Sequence, residues 1–127
     1  MLPRPNSLAE VADRATSAPA FEYELADFLH EFAFRGVAAM LTEPPLLLRD
    51  RCELGAVYDA YLAAVAVSFA VRLGCPAPSW TREPERILRE PWFASPGHHM
   101  RALLLVESPA AFRERNLFVT SNALSVA

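Results

Sequence analysis

Residues 54–73 read LGAVYDAYLAAVAVSFAVRL, a run of twenty residues that is apolar on most sides. A helix of this kind forms either the centre of a helical core or a membrane span. Asp59 and Arg72 lie inside the run, and a buried aspartate costs about 3 kcal/mol near the centre of a bilayer. The pattern therefore predicts a core helix that begins at residue 53 or 54. Gly74, followed by Pro76, is typical of a helix C-terminus and predicts the end.

The segment after this helix, residues 75–97, reads CPAPSWTREPERILREPWFASPG and breaks the helical pattern. It contains both tryptophans, five prolines and three arginines. Its aromatic content predicts that it packs onto the helices rather than acting as a spacer. We call this segment the strap. Residues 84–88 within it are predicted to form one helical turn, because proline suits a first turn.

Two helices are predicted before the core helix. Ser7, with Glu10 three residues later, predicts the N-cap of a short helix over residues 7–17, which Pro19 would end. Apolar residues at helical spacing predict a long helix over residues 21–41. Gly36 within it and Gly55 at the start of the core helix are expected to allow close packing of neighbouring backbones.

The C-terminal part is predicted to hold shorter elements. A helix is expected over residues 98–107, and Ser108 followed by Pro109 predicts the N-cap and first turn of another. Residues 117–119 are expected to be extended, with a last turn capped by Thr120 or Ser121.

These elements predict one all-α domain over residues 1–127, with residues 1–6 disordered. We expect about five helices, in which two long antiparallel helices are covered by the strap and by the short C-terminal helices. A length of 127 residues suits a single domain.

Composition restricts the class of partner. The formal net charge is −3, and all 12 basic residues are arginine. Because no basic stripe is present, direct nucleic-acid binding is not expected. The N-terminal sequence MLPRPNS lacks the apolar region of a signal peptide, so we predict a cytoplasmic protein that does not bind membranes.

No catalytic, metal or cofactor motif stands out in the sequence. Cys52 and Cys75 flank the core helix and are expected to be too far apart for a disulfide bond. His98 and His99 are adjacent and point in different directions on a helix. The best metal candidate is the helix face that carries Glu24, Asp27, His30 and Glu31, and the solvated face of a helix explains it better. We therefore predict no metal, no cofactor and no catalytic residue.

The C-terminal half resembles a known family. Pro91-Trp92-Phe93 and the run from Ser108 to Arg113, SPAAFR, are similar to motifs of a poorly characterised bacterial helical domain. That domain occurs alone or behind helix-turn-helix modules, and some members belong to toxin–antitoxin-type gene pairs. The resemblance covers roughly residues 25–127. It implies a helical fold and an antitoxin-like role, and it assigns no catalytic residue.

The sequence thus predicts a non-enzymatic protein-interaction domain whose partner is a protein, such as a toxin encoded nearby. Arginine and large aromatic residues are enriched at the centres of protein interfaces. The expected partner-binding residues are Trp80, Arg86, Arg89, Trp92, Phe93, Arg113 and Arg115. A homodimer is also compatible with the sequence. Two alternatives are a sensor that binds a small apolar ligand between the long helices and the strap, and a small enzyme of unrecognised type.

Overall fold

The computed structural model describes residues 3–94 and 97–126, without the side chains of His98 and His99. Within these residues the chain is mainly helical, as predicted, and it contains one small sheet. The α-helices are α1 (Leu8–Arg14), α2 (Ala18–Arg35), α3 (Ala39–Thr42), α4 (Gly55–Leu73), α5 (His98–Glu107) and α6 (Ala110–Arg113). The strands are β1 (Trp92–Phe93) and β2 (Leu117–Phe118), and the strap also holds two 3₁₀ turns, Ser79–Arg82 and Pro84–Arg86.

Serine side chains start the first two helices. The Ser7 hydroxyl accepts a hydrogen bond from the Glu10 amide at 3.1 Å, which confirms the predicted cap of α1. The Ser17 hydroxyl caps α2 in the same way. Pro19 was predicted to end α1, but it lies in the first turn of α2, where a missing amide proton has no consequence.

Gly36 ends α2 instead of lying inside one long helix. Its φ of 51° is left-handed, a conformation that suits glycine at a helix C-terminus. The predicted helix over residues 21–41 is therefore divided into α2 and the short α3. Gly74 ends α4 in the same manner, with φ 70°, and there the prediction is confirmed.

Helix α4 forms the centre of the core. Twelve of its residues are buried, including Leu62, Phe69 and the charged Asp59. By length and composition α4 could cross a membrane, with a mean hydropathy of 1.5 over eighteen residues, and 61% of that window is buried inside the fold. Gly55 allows the backbone at Leu48 to approach α4, because a Cβ atom on Gly55 would lie 1.9 Å from the Leu48 carbonyl oxygen.

Stacked aromatic rings show how the two long helices run. Phe21 stacks on Tyr58 with ring centroids 3.9 Å apart, and Phe32 stacks on Phe69 at 4.0 Å. The first pair joins the starts of α2 and α4, and the second joins their ends, so the two helices are parallel. The expected antiparallel arrangement is wrong, because residues 36–54, including α3, carry the chain back to the end of the pair where α2 begins.

The strap and the C-terminal tail are joined by a short parallel sheet. Trp92 of β1 pairs with Leu117 of β2, and Phe93 pairs with Phe118. Ser108 was predicted to cap α6, but Pro109 holds the N-cap position. The buried Ser108 hydroxyl instead donates to the Leu117 carbonyl oxygen at 2.9 Å and so supports β2.

Candidate functional site

Three of the seven residues predicted to bind a partner are inside the fold. Trp80 is 4% exposed, Arg86 1% and Arg115 7%. Their placement in a partner-binding surface is therefore wrong for this fold, because a side chain enclosed by its own chain cannot contact another protein. Each of the three makes specific bonds inside the molecule.

Arg86 is the largest fully buried side chain in the described part of the chain. Its Nη2 donates to the Pro45 carbonyl oxygen at 2.6 Å, and its Nη1 lies 3.8 Å from Oδ1 of Asp59. The guanidinium also lies over the ring of Trp80, 4.9 Å from the centroid. Burial lowers the pKa of Arg86, and the Asp59 charge opposes that change. The group therefore connects the strap to α4 and to the segment before it.

Two carboxylates lie beside this buried cation: the exposed Glu83, with Oε1 3.4 Å from Nε of Arg86, and the buried Asp59. Desolvation raises the pKa of Asp59, while the Leu48 amide and the charges of Arg86 and Arg49 oppose the rise. The Leu48 amide donates to Oδ1 at 2.6 Å, and Nε of Arg49 donates to Oδ2 at 3.3 Å. With both oxygens bonded, Asp59 acts as a structural anchor.

Trp80 and Arg115 also hold the strap in place. The indole Nε1 of Trp80 donates to the Leu41 carbonyl oxygen at 3.0 Å. Arg115 donates from Nη2 to the Thr81 carbonyl oxygen and from Nη1 to that of Ala111, both at 3.0 Å. These bonds connect the strap to α3 and to the C-terminal tail.

The other four predicted residues remain accessible. Arg89 and Arg113 are exposed, and Trp92 and Phe93 are half-buried. Phe93 stacks on Phe118 at 4.9 Å, and the Arg101 guanidinium lies 5.0 Å from its ring centroid. Trp92 takes part in a different feature, a groove beside the long helices.

This groove lies between α2, α4, β1 and the C-terminal tail and encloses about 370 Å³. Known small-molecule sites occupy about 300–1,000 Å³ and are mostly apolar with a few polar groups. We call it the α2–α4 groove. Its lining residues are mainly apolar and aromatic: Phe21, Glu22, Leu25, Ala26, Leu29, Val57, Tyr58, Tyr61, Trp92, Ala94, Val119, Thr120 and Ala123.

Two tyrosines supply most of the polar chemistry of the α2–α4 groove. Tyr58 is 5% exposed, and its buried hydroxyl has no hydrogen-bond partner among the described residues. Burial raises the pKa of Tyr58, and burial together with the Glu22 charge raises the pKa of Tyr61 to about 12. Both phenols are therefore neutral near neutral pH and able to donate or accept a hydrogen bond.

The α2–α4 groove lies where one alternative from the sequence expected a ligand, and ligand binding there stays a prediction. That alternative placed an apolar ligand between the long helices and the strap. The spacing of Tyr58 and Tyr61, three apart on one helix, and of Phe21 and Leu25, four apart on another, was a usable signal for two facing stripes. It was missed because nothing in a sequence indicates that the two stripes face each other.

The described residues hold no cluster of metal-ligating side chains and no disulfide bond. Within residues 3–94 and 97–126, no three histidine, cysteine or acidic side chains lie close enough to hold a metal ion. On the acidic face considered above, Glu24 pairs with Arg14, and Glu31 pairs with Arg35. The side chains of His98 and His99 lie outside the described part. Cys52 and Cys75 are free thiols.

Comparison with known proteins gives no family assignment. No protein-family model, curated protein or solved structure matches the chain. The resemblance to the bacterial helical domain and the antitoxin-like role it implies therefore stay predictions.

Proposed function

We propose that this chain is a non-enzymatic sensor domain that binds one small, mainly apolar molecule in the α2–α4 groove. The observation that carries the proposal is the buried Tyr58 hydroxyl, which lacks a partner among the described residues and belongs to a side chain lining the groove. An unsatisfied buried polar group costs about 1–3 kcal/mol. A bound molecule that displaced the side chains covering this hydroxyl and bonded to it would remove that cost.

The groove has the size and lining that such a molecule needs. About 370 Å³ accommodates a molecule with one or two fused rings, and aliphatic side chains from Leu25, Leu29, Val57 and Val119 give it an apolar surface. Burial of apolar ligand area contributes about 25 cal/mol for each Å² removed from water. Affinity would therefore come from the apolar body, and orientation from the hydroxyl groups.

The position of Trp92 offers a route by which binding changes the rest of the molecule. Trp92 lines the α2–α4 groove and belongs to β1, whose partner is β2 of the C-terminal tail. A ligand that prefers one position of Trp92 shifts the strap and tail together, by as much as its affinity differs between the two positions. This coupling is what a sensor requires.

Filling the groove with a larger side chain tests the proposal. Ala26 is exposed and lines the α2–α4 groove, so Ala26→Leu should obstruct it without disturbing the core. Ala33 lies two turns further along α2, is also exposed and does not line this groove, so Ala33→Leu is the matched control. The neutral fluorophore prodan is the probe, and its emission shifts to the blue in an apolar site.

We expect prodan to bind the parent protein and Ala33→Leu equally, and Ala26→Leu at least fivefold more weakly. Tyr58→Phe should alter binding of ligands with a polar end more than binding of purely apolar ones. If prodan binds Ala26→Leu as tightly as Ala33→Leu and the parent, or does not bind the parent, the groove is not a ligand site.

A second candidate is the protein-interaction domain, antitoxin-like, that the sequence first favoured. Helix α5 supports it, because Leu103, Leu105 and Val106 are 45%, 48% and 77% exposed. Exposed apolar side chains grouped on one short helix are typical of interaction sites. The accessible predicted residues Arg89, Trp92, Phe93 and Arg113 would complete the surface.

A pull-down from the host with Val106→Asp and Arg113→Glu tests this candidate. If the neighbouring gene encodes a toxin, its product should bind the parent and lose binding to both variants. Equal recovery with parent and variants would place the partner elsewhere on the surface.

A further inference from the structure

The charges around the α2–α4 groove bear on the class of molecule it takes. Among its described lining residues, Glu22 is the one with a formal charge, and no arginine joins it. Glu22 is exposed and makes no ion pair with the described residues, so its carboxylate is available to a ligand. The protein has 12 arginines, and a groove without any of them does not suit an anion.

The negative charge of Glu22 reaches into the groove. Its Coulomb interaction is among the causes that raise the pKa of both Tyr58 and Tyr61. A carboxylate that makes phenols harder to ionise disfavours any other negative charge beside them. The same field favours a positive charge.

The aromatic lining favours the same charge. Four aromatic side chains line the groove, Phe21, Tyr58, Tyr61 and Trp92. The faces of such rings attract a cation that lies within about 6 Å of the ring centre. A phenol oxygen is able to accept a hydrogen bond from an N–H donor, and that of Tyr58 has no partner among the described residues.

We infer that the molecule bound in the α2–α4 groove is a protonated hydrophobic amine, whose apolar body packs on the aromatic lining and whose ammonium group faces Glu22. The inference rests on the proposed function, because it presupposes that the groove is a ligand site. It adds that the ligand carries a positive charge and that Glu22 is the residue that binds this charge.

Three probes that share a naphthalene ring test the ligand charge separately from the proposed function. 1-Naphthylmethylamine, 1-naphthalenemethanol and 1-naphthoate differ mainly in charge, which is positive, neutral and negative at neutral pH. Their affinities are measured by calorimetry. Amide NMR shifts at Ala26, Val57 and Thr120, which line the groove, report whether each probe binds there.

We expect the amine to bind about tenfold more tightly than the alcohol, and the naphthoate most weakly. Glu22→Gln should bring the affinity for the amine down to about the affinity for the alcohol. Glu43→Gln, an exposed carboxylate that does not line the groove, should change neither. Added salt should reduce the preference for the amine.

Each other result has one meaning. Equal affinity for amine and alcohol, with NMR shifts in the groove, would overturn the inference about charge and leave the proposed function intact. A tighter naphthoate would do the same. Probes that leave the groove amides unshifted would overturn the proposed function itself. Self-association detected by sedimentation, with the groove amides shifted by protein concentration alone, would assign the groove to a second copy of the chain and overturn both.

Discussion

Arg86 and Asp59 face each other inside the fold, with Nη1 3.8 Å from Oδ1, and neither side chain has appreciable contact with water. A pair of this kind is costly to break, because removing Arg86 takes one of two arginine partners from the buried Asp59 and leaves the Pro45 carbonyl without its donor. The pair also positions the strap on α4, because Arg86 belongs to the strap and Asp59 lies within α4.

Breaking this pair should destabilise the protein strongly. We expect Arg86→Met to lower the free energy of unfolding by about 3–5 kcal/mol. Adding Asp59→Leu to that variant should recover part of the loss, because the double variant has lost both charges of this pair. Urea denaturation measures both, and Arg89→Met, at an exposed arginine in the same segment, is the control. A double variant less stable than the single would contradict the argument.

Trp80 should contribute more to stability than Trp92. Trp80 is 4% exposed and donates a hydrogen bond to Leu41, whereas Trp92 is half-buried. Trp80→Ala is expected to cost about 3–5 kcal/mol, and Trp92→Ala clearly less. Thermal melts measure the order, and fluorescence of the single-tryptophan variants should show the bluer emission from Trp80. Equal losses would mean that the strap is held elsewhere.

Gly55→Ala should be more destabilising than a simple helix propensity scale suggests. Alanine normally favours a helix by about 1 kcal/mol over glycine. At position 55 the new Cβ would lie 1.9 Å from the Leu48 carbonyl oxygen, so the backbone must move. We expect a net loss of about 1–3 kcal/mol. Gly74→Ala is the comparison, because a Cβ there meets nothing within 4 Å and only the positive φ opposes it. A stabilised Gly55→Ala would refute the close approach.

Arg113 and Arg115 should respond differently to charge reversal, although they lie two residues apart. Arg113 is exposed, so Arg113→Glu should change the free energy of unfolding by less than about 0.5 kcal/mol. Arg115 is buried and bonded to Thr81 and Ala111, so Arg115→Glu should prevent stable folding. Circular dichroism and urea denaturation distinguish the two. If both variants retain the parental stability, Arg115 is accessible after all.

Alkaline pH should weaken the fold through Tyr61. Its pKa is about 12 in the folded protein, against about 10 for an unperturbed tyrosine. Between these values the folded state keeps a proton that the unfolded state has lost, so stability falls as pH rises. Tyr61→Phe should lose less stability than the parent over that interval. Urea midpoints at several pH values measure this, and parallel pH profiles would show that Tyr61 is not responsible.

The sequence predicted structural features that depend on residues close together in the chain. Ser7 and Gly74 were recognised as helix ends because capping involves only a few adjacent residues. Gly36 was misjudged because the apolar pattern on both sides of it continues, and only the backbone shows that the helix stops there.

Contacts between distant residues were not readable in the same way. Arg86 and Arg115 were expected on the surface because arginine is rarely buried, and their carbonyl partners leave no trace in the side-chain sequence. The parallel course of α2 and α4 depends on the path of residues 36–54, which no periodicity reports. The residues that line the α2–α4 groove could not be predicted either, because they come from distant parts of the chain.

The parallel pairing of Trp92 with Leu117 has a consequence for synthesis of the chain. Strand β2 lies close to the C-terminal end of the described residues, and Arg115 beside it closes the bonds to Thr81. A ribosome holds the newest part of a chain in its tunnel, so β1 has no partner until β2 has been synthesised and has left the tunnel. Until then the side of α4 that α6 and β2 cover is open to water and to chaperones. The sheet that joins the strap to the tail therefore forms only after both of its strands have left the ribosome.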